Sequence, residues 1–422
     1  TDWWNYGGIT RDVNIVEVAG TFIQDYYIQL ADNDPKNIDV SIILNGSEKA
    51  NQQVTVEIPA ANLKTICITD SEGKAKTTIP AKSLNLWSPE NPYLYEVKLT
   101  HNSEVLADKI GFRTIQTKGS DILLNGRPVF LRGICMHEEN GVRGGRAYSR
   151  EDAQMLLGWA KELGCNFVRL AHYPHNENMT RVADEMGMLV WSEVPVYWTI
   201  QWQNPDTYAN AHNQLTEMIT RDKNRASVII WSMANETPVS ADRTEFLKSM
   251  IKTTRQLDPV RLVSAALERH PKPGTKNTQV IEDPLQDFVD IIAFNQYIGW
   301  YDGLPEKCKT AEFEIKFDKP VMVSEFGGDA LQGNHGSKDA RWTEEFQEDL
   351  YRETLKMLDK IPQLRGITPW ILADFRSPRR LLPDIQDGWN RKGLISETGN
   401  KKKAYYVLQE YYKKKKADYS SK

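Results

Sequence analysis

Residues 228–238 of the 422-residue chain read VIIWSMANETP, an apolar run that ends abruptly in polar residues. The β-branched composition of the run predicts a buried strand. In an α/β barrel the residues at the carboxyl ends of the strands carry the chemistry, and Glu236 lies at such an end. A second interpretation of Asn235-Glu236 is a helix cap that follows the strand. The rest of the chain bears on this choice.

Strand and helix patterns alternate on both sides of this stretch, from residue 116 onward. Eight predicted strands with helical patterns between them favour a (β/α)₈ barrel over an open sheet. The predicted strands cover residues 129–135, 167–171, 189–194, 228–233, 262–266, 291–295, 321–324 and 366–370. Residues 19–115 instead show short alternating strands with turn signals such as Asn45-Gly46, and they predict an immunoglobulin-like β-sandwich.

The first residues of the chain predict one further strand, because residues 9–16 alternate between apolar and polar side chains. The chain does not start with Met. We therefore expect a piece or a processed form of a longer protein. The expected division is a terminal strand at 1–18, the sandwich at 19–115 and the barrel at 116–422.

Composition excludes several classes of partner. A formal charge of −4 argues against an electrostatic nucleic-acid partner, and no apolar stretch reaches membrane-spanning length. The four cysteines, Cys67, Cys135, Cys165 and Cys308, are widely separated in or near apolar runs, which indicates buried thiols. No cluster has metal-ligand spacing, so we expect neither a metal nor a cofactor.

Two carboxylates stand out among the polar residues that follow the predicted barrel strands. Glu236 follows strand four and Glu325 follows strand seven, so the two side chains face each other across the barrel. Paired carboxylates fit glycoside hydrolysis, in which one acid stays protonated and the other stays ionised. Asn235 suits a hydrogen bond to a sugar hydroxyl, and Tyr297 can orient Glu325. Tyr301 belongs to an aromatic cluster that can stack on a sugar.

These residues resemble the motifs of glycoside hydrolase family two, which contains β-galactosidases, β-glucuronidases and β-mannosidases. Trp231…Asn235-Glu236 is similar to its acid/base motif, and Ser324-Glu325-Phe326-Gly327 is similar to its nucleophile motif. The resemblance extends to NYGGITRDV at 5–13, WSPENPYLY at 87–95, GFR at 111–113 and RLAHYP at 169–174. It implies a retaining hydrolase made of a sugar-binding jelly roll, an immunoglobulin-like sandwich and a barrel. Here only the closing strand of the jelly roll is expected.

The same resemblance assigns further residues to the sugar pocket. It implies that Asp2 reaches a sugar hydroxyl, that His137 and His172 line the pocket, and that Trp370 is a platform for the sugar ring. It also places His335, which follows the nucleophile, in the pocket. A periplasmic or extracellular location and a homo-oligomer are further expectations from the family alone.

The identity of the sugar depends on residues 390–393. Asn390 and Lys392 resemble the Asn-x-Lys motif with which β-glucuronidases hold the glucuronate carboxylate, and an ammonium with an amide donor suits that task. A second interpretation is a polar turn before the last helix. The basic segment 376–383 can instead reshape the pocket for a galactoside or an acidic oligosaccharide. We therefore expect a β-glucuronidase, with a β-galactosidase and a non-catalytic carbohydrate-binding protein as alternatives.

Overall fold

The computed structural model describes residues 1–420, and its first regular unit is a β-sandwich. Alternating segments form antiparallel strands here because every second side chain can then be buried. The strands are Thr21–Ala31 (β1), Asp34–Gly46 (β2), Gln53–Ile58 (β3), Leu63–Ile68 (β4), Lys74–Pro80 (β5), Tyr95–His101 (β6) and Glu104–Ile110 (β7). They form two sheets, with strand orders β1-β2-β5 and β4-β3-β6-β7. The predicted sandwich is confirmed.

A small antiparallel sheet leads from the sandwich to the second unit. It consists of Ile115–Lys118 (β8), Asp121–Leu124 (β9) and Arg127–Pro128 (β10). Its apolar side chains, among them Ile115 and Ile122, share a buried cluster with the first residues of several strands that follow. The sheet therefore closes the amino-terminal end of the next unit.

That unit is a closed barrel of eight parallel strands arranged in chain order, as predicted. The strands are Leu131–Met136 (β11), Phe167–Leu170 (β12), Leu189–Glu193 (β13), Val228–Asn235 (β14), Leu262–Leu267 (β15), Ile292–Asn295 (β18), Val321–Glu325 (β20) and Leu364–Ile367 (β21). Every residue of β12, β13 and β14 is buried, because parallel strands are covered on both faces. The run at residues 228–238 is therefore a barrel strand and its carboxyl end.

Helices pack around this barrel, and most begin with a side-chain cap. They are Arg150–Glu162 (α1), Glu177–Met186 (α2), Pro205–Asp222 (α3), Ala241–Leu257 (α4), Glu344–Leu358 (α5) and Lys403–Ser420 (α6). Ser149 and Asp152 form a reciprocal capping box at the start of α1. None of these helices, which include all those in the described residues, is long and apolar enough to cross a membrane.

Two of the barrel connections depart from the regular pattern. Residues 268–291 and 296–320, all of which are described, contain short 3-10 turns and β-bridges in place of α-helices. Proline and glycine residues punctuate both segments, and these residues disfavour a helix interior. The short strands of this region are His270–Pro271 (β16), Thr278–Val280 (β17) and Glu312–Glu314 (β19), and a last hairpin pairs Phe375–Arg376 (β22) with Trp389–Asn390 (β23).

The strand predicted at residues 9–16 is not formed, so that part of the prediction is wrong. Residues 1–20 run without strand pairing, and Ile9, Val13 and Ile15 are exposed. A strand requires a neighbour for its backbone hydrogen bonds, and none of the described strands pairs with this segment. The segment is instead held to the barrel, where the backbone N–H of Trp4 donates to the carbonyl of Arg376.

The sandwich is attached to the barrel by buried polar contacts. Asn224, just before β14, accepts a hydrogen bond from the backbone N–H of Ile28 and donates one to the carbonyl of Tyr26. The Arg113 guanidinium donates to the carbonyls of Ala226 and Val228. The Asn224 bonds satisfy two backbone groups of β1, and all four bonds join the two units through backbone groups. The four cysteines are buried free thiols, as predicted.

Candidate active site

A cavity of about 200 Å³ opens at the carboxyl ends of the barrel strands. Both candidate catalytic carboxylates, Glu236 and Glu325, line it. The complete lining consists of Asp2, Trp3, His172, Tyr197, Trp198, Glu236, Tyr297, Tyr301, Glu325, Trp370, Arg380, Asn390 and Lys392. Loops at this end of a barrel converge on one site, which is why residues far apart in the chain meet here.

Glu325 is the last residue of β20 and is buried among hydrogen-bond donors. The Tyr297 hydroxyl donates to Oε2 at 2.7 Å, and Arg169 Nη1 donates to Oε1 at 2.9 Å. His172 Nε2 lies 3.6 Å from the same Oε1. Burial raises the pKa of Glu325, and although Arg169 and His172 oppose this effect, the net direction remains upward. The donors are positioned to stabilise the ionised form of the carboxyl.

Glu236 follows β14 and sits less deeply than Glu325. Its backbone has φ +49°, in the left-handed region that a residue with a Cβ seldom adopts. Pairing between β14 and β15 is irregular from Ser232 to Asn235, just before this turn. Trp198 Nε1 donates to Glu236 Oε2 at 3.1 Å, and the Trp198 backbone N–H donates to the carbonyl of Asn235. The segment before α3 therefore holds Trp198 against the Glu236 carboxylate.

Arg169 lies at the centre of the buried network beneath the cavity. This side chain is fully buried and projects from β12. Its Nη2 donates to Asn235 Oδ1 at 2.7 Å and to Glu193 Oε1 at 3.1 Å, in addition to the bond to Glu325. Burial raises the pKa of Glu193, but Arg169 and His172 together outweigh burial and bring this pKa to about 2. One cation thus links the nucleophile candidate to the residue that precedes Glu236.

Asn235 lies behind the cavity surface. Its Oδ1 is occupied by Arg169 and by Asn295 Nδ2, whereas its Nδ2 has no partner among residues 1–420. A buried amide donor without a partner costs free energy, which a bound hydroxyl can recover. Asn235 can therefore donate a hydrogen bond to a ligand.

The two predicted pocket histidines have different environments. His172 lies in the cavity, where Nδ1 contacts Glu193 at 2.7 Å and the ring stacks on Trp370 at a centroid distance of 4.9 Å. His137 lies behind the cavity and contacts the Tyr173 hydroxyl through Nδ1. Burial, together with the charge of His172, lowers the pKa of His137 well below its usual value. His137 is therefore neutral and packs behind the pocket.

Lys392 and Asn390 both line the cavity. Lys392 Nζ lies 2.6 Å from Asp329 Oδ1, and both side chains are buried. Burial lowers the pKa of Lys392, but Asp329 and Tyr301 together outweigh burial, so the net shift of this pKa is upward. The ammonium also lies 5.0 Å from the centre of the Tyr301 ring, which places Tyr301 beside the cation.

Asp2 lines the cavity and is tied to the loop after β21. Arg380 forms an ion pair with Asp2, and the Ser377 hydroxyl donates to Asp2 Oδ1 at 2.6 Å. Burial would lower the pKa of Arg380, but the hydrogen bond to Asp2 raises it. The basic segment 376–383 thus contributes a second cation to the cavity. Trp370, buried at the end of strand eight, forms part of the cavity surface.

His335 does not join the cavity, which differs from the expectation. Its side chain is 54% exposed and its Nδ1 contacts Glu345 at 3.1 Å near the start of α5. The segment after Glu325 turns outward toward α5, so proximity in sequence does not carry His335 into the pocket.

Among the residues that were not assigned a site role from the sequence are Trp3 and Arg380 in the cavity wall and Arg169 beneath it. A signal for Arg169 exists, because a lone arginine in an apolar strand requires buried partners. Trp3 packs against His172 and Tyr197, but nothing in the local pattern indicates that contact. Among the described residues, no group of three or more His, Cys, Asp or Glu side chains could hold a metal ion.

An eight-stranded barrel with two acidic side chains in a polar cavity at its carboxyl end fits a glycosidase of the α/β-barrel class. Family models agree with this class: "Glycosyl hydrolases family 2, TIM barrel domain" matches residues 115–416, and "Glycosyl hydrolases family 2" matches residues 21–113. The chain belongs to glycosyl hydrolase family 2.

Similar proteins include curated relatives and solved structures. A β-glucuronidase of Streptococcus agalactiae is 29% identical over 451 residues, which cover 98% of this chain and 71% of the relative. A β-glucuronidase of Rattus norvegicus is 30% identical, covering 97% and 64%. The structure of a β-galacturonidase from Eisenbergiella tayi bound to galacturonate has a TM-score of 0.83 at 25% identity, covering 94% and 73%. The β-D-glucuronidase of Dictyoglomus thermophilum has a TM-score of 0.78 at 27% identity, covering 98% and 72%.

Proposed function

We propose that the protein is a retaining exo-β-glycosidase that hydrolyses terminal β-D-glucuronides. One observation carries the proposal: Glu236 and Glu325 share a cavity that also contains Lys392 and Asn390. Relatives named as β-glucuronidases support this choice of sugar. We also propose the division into segments 1–18, 19–115 and 116–422 as the functional organisation of the chain.

In the first step, Glu236 acts as general acid and Glu325 as nucleophile. The Glu325 carboxylate attacks the anomeric carbon, the glycosidic bond breaks, and Glu236 transfers its proton to the departing oxygen. In the second step, Glu236 removes a proton from water, which attacks the anomeric carbon and releases Glu325. Arg169 and Tyr297 hold the nucleophile, and the free Nδ2 of Asn235 is available for a sugar hydroxyl.

The uronate carboxylate is proposed to bind at Lys392 and Asn390. The Lys392 ammonium stays charged beside Asp329, and Asn390 supplies an amide next to it. A charge-assisted hydrogen bond to a carboxylate is stronger than one to a neutral hydroxymethyl group. This difference selects an acidic sugar over a galactoside.

A panel of 4-nitrophenyl β-glycosides tests the proposal. The purified chain is expected to release nitrophenol from the glucuronide faster than from the galactoside. The first-formed sugar should be the β-anomer in proton NMR spectra, since a retaining enzyme keeps the configuration. Turnover of the galactoside alone would favour a β-galactosidase. Absence of any turnover, with sugar binding intact, would favour a carbohydrate-binding protein.

A second candidate is a β-galacturonidase. The structural similarity to the galacturonate-bound β-galacturonidase favours it, because that protein superposes over 94% of this chain. Lys392 and Asn390 address the carboxylate, which glucuronides and galacturonides share, so they do not select between the two. Adding 4-nitrophenyl β-galacturonide to the panel decides which of the two uronides is preferred.

A further inference from the structure

A second cavity, of about 330 Å³, lies beside the catalytic one. The two cavities share Trp198, Glu236 and Tyr297, so Glu236 stands at their boundary. The second cavity contains none of Asp2, Asn390 or Lys392, the residues proposed to bind the uronate sugar. Its additional polar residues are Glu268 and Arg269, which follow β15, and Asn295 at the end of β18.

The second cavity lies where the proposed role of Glu236 as general acid requires space for a leaving group. A general acid must reach the oxygen between the sugar that is transferred and the group that departs. If the uronate sugar occupies the cavity with Lys392, the leaving group must extend past Glu236 on the other side. The cavity that begins at Glu236 is therefore in the right place to receive it.

The lining of the second cavity is polar and partly shielded from water. Glu268 and Arg269 are half-buried, and Leu267 is the aliphatic residue beside them. Arg269 is held in place because its Nε donates to the carbonyl of Asn295 at 3.0 Å and its Nη1 contacts Gln279 Oε1 at 2.5 Å. Among residues 1–420, Glu268 forms no ion pair within 4.0 Å, which leaves its carboxylate free to accept a hydrogen bond.

These side chains favour a hydroxylated leaving group. An apolar alcohol in the cavity would remove water from Glu268 and Arg269 without replacing its hydrogen bonds, which costs free energy. A sugar residue supplies hydroxyls that can donate to the Glu268 carboxylate and accept from the Arg269 guanidinium. Burial and the charges of Glu236 and Asp283 raise the pKa of Glu268, and the charges of Arg243 and Arg269 only partly oppose this shift. A hydroxyl that donates to the Glu268 carboxylate would therefore stabilise its charged form.

We propose that the cavity beyond Glu236 is a leaving-group subsite for a sugar residue, so that the substrate is a uronide-terminated oligosaccharide. The bond that breaks is the anomeric C–O bond, and the proton of Glu236 goes to the hydroxyl oxygen of the departing sugar. The anomeric carbon forms its new bond to Glu325. This inference rests on the glycosidase function proposed above and adds the class of leaving group.

The test compares two kinds of unactivated substrate that carry the uronate selected by the nitrophenyl panel. One kind is the octyl β-uronide, and the other is a set of disaccharides in which the uronate is β-linked 1→3 or 1→4 to glucose, galactose or xylose. Alkyl and sugar hydroxyls both need protonation to depart but differ in acidity, so the change of the kcat/KM ratio in a subsite variant is what reports binding of the leaving group. For at least one disaccharide we expect a kcat/KM about tenfold higher than for the octyl uronide, because one hydrogen bond to a charged group contributes about that factor.

Two variants assign the effect to the subsite. Arg269→Met and Glu268→Gln should each lower the ratio of disaccharide to octyl kcat/KM by about tenfold. Lys272→Ala is the control, because Lys272 pairs with Glu314 outside the cavity and its removal should leave both substrates unchanged. Glu268→Gln keeps the shape of the side chain, so it answers the question even if Arg269→Met fails to fold.

The outcomes separate this inference from the function on which it rests. If the octyl uronide is preferred to every disaccharide, or if both variants leave the ratio unchanged, the leaving-group assignment is wrong while the glycosidase function stands. If the wild-type protein cleaves no glycoside of the nitrophenyl panel, the proposed function itself fails.

Discussion

Opposing interactions determine the pKa of the Glu325 carboxyl, and Tyr297 is one of the neighbours that contribute to it. Burial raises its pKa, whereas Arg169 and the Tyr297 hydroxyl stabilise the charged form. Burial and the adjacent Glu325 charge raise the pKa of Tyr297 itself, so the phenol stays protonated and keeps donating. The proposed nucleophile therefore depends on Tyr297 for part of its ionisation.

Tyr297→Phe should shift the acidic limb of the pH–kcat/KM profile to higher pH. The variant loses a donor to the ionised carboxylate, so the pKa of Glu325 rises further and more alkaline conditions are needed to ionise it. We expect kcat at neutral pH to fall by about tenfold to a hundredfold. The measurement is the pH dependence of nitrophenyl glucuronide hydrolysis, with Tyr406→Phe, an exposed tyrosine of α6, as the control. An unmoved acidic limb would contradict the role given to Tyr297.

Lys392→Ala tests the carboxylate site at the same scale. Loss of a charge-assisted hydrogen bond should lower kcat/KM for the glucuronide by about tenfold to a hundredfold more than for the galactoside. Because Asp329 then lies buried without its cation, the variant should also melt at a lower temperature. Lys403→Ala is the control, since Lys403 pairs with Glu345 away from the cavity. Equal losses of kcat/KM on the two substrates would show that Lys392 does not bind the uronate carboxylate.

At the scale of elements, α6 is connected to the barrel through a buried ion pair. Lys402, just before this helix, donates to both oxygens of Asp374 at 2.8 and 3.0 Å and to the carbonyls of Ala330 and Arg391. Asp374 in turn accepts from the backbone N–H of Gly393. The pair therefore supports the backbone on both sides of Lys392.

Lys402→Met should destabilise the protein by about 1.5–3 kcal/mol, because the buried Asp374 carboxylate loses two charge-assisted hydrogen bonds and keeps Arg391, at 3.3 Å, as its remaining paired cation. Activity on the glucuronide should fall as well, since the segment that carries Lys392 loses an anchor. Thermal unfolding followed by circular dichroism measures the first effect. Lys401→Ala is a suitable control, because Lys401 pairs with Glu162 at the surface. A melting temperature equal to that of the control would show that the pair does not contribute.

For the whole molecule, the contact between sandwich and barrel determines whether the two units unfold together. Asn224→Ala would leave the N–H of Ile28 and the carbonyl of Tyr26 without their partner at a buried interface. Each lost buried bond costs about 1–3 kcal/mol. We expect a lower melting temperature and separation of the two unfolding transitions in calorimetry. Asn210→Ala, at an exposed position of α3, should show neither change. Identical calorimetric traces for wild type and Asn224→Ala would contradict this coupling.

The amino-acid sequence was sufficient for the barrel, for the sandwich and for the two carboxylates. Residues 228–233 form a strand because an unbroken β-branched apolar run can be buried on both faces, and Glu236 lies at its carboxyl end by chain order alone. The periodicity of a strand depends only on residues that are close in sequence, so it can be recognised in a single sequence. The same local pattern failed at residues 9–16, where a strand depends on a neighbour that the pattern does not contain.

Only the tertiary structure decided which distant residues surround these carboxylates. Arg169 joins Glu193, Asn235 and Glu325, whereas His335 turns outward although it lies only ten positions after Glu325. The Lys392–Asp329 and Arg380–Asp2 pairs likewise join segments that no period or spacing relates. Side-chain contacts across a barrel depend on how the loops converge at its carboxyl end, and that convergence is a property of the folded chain.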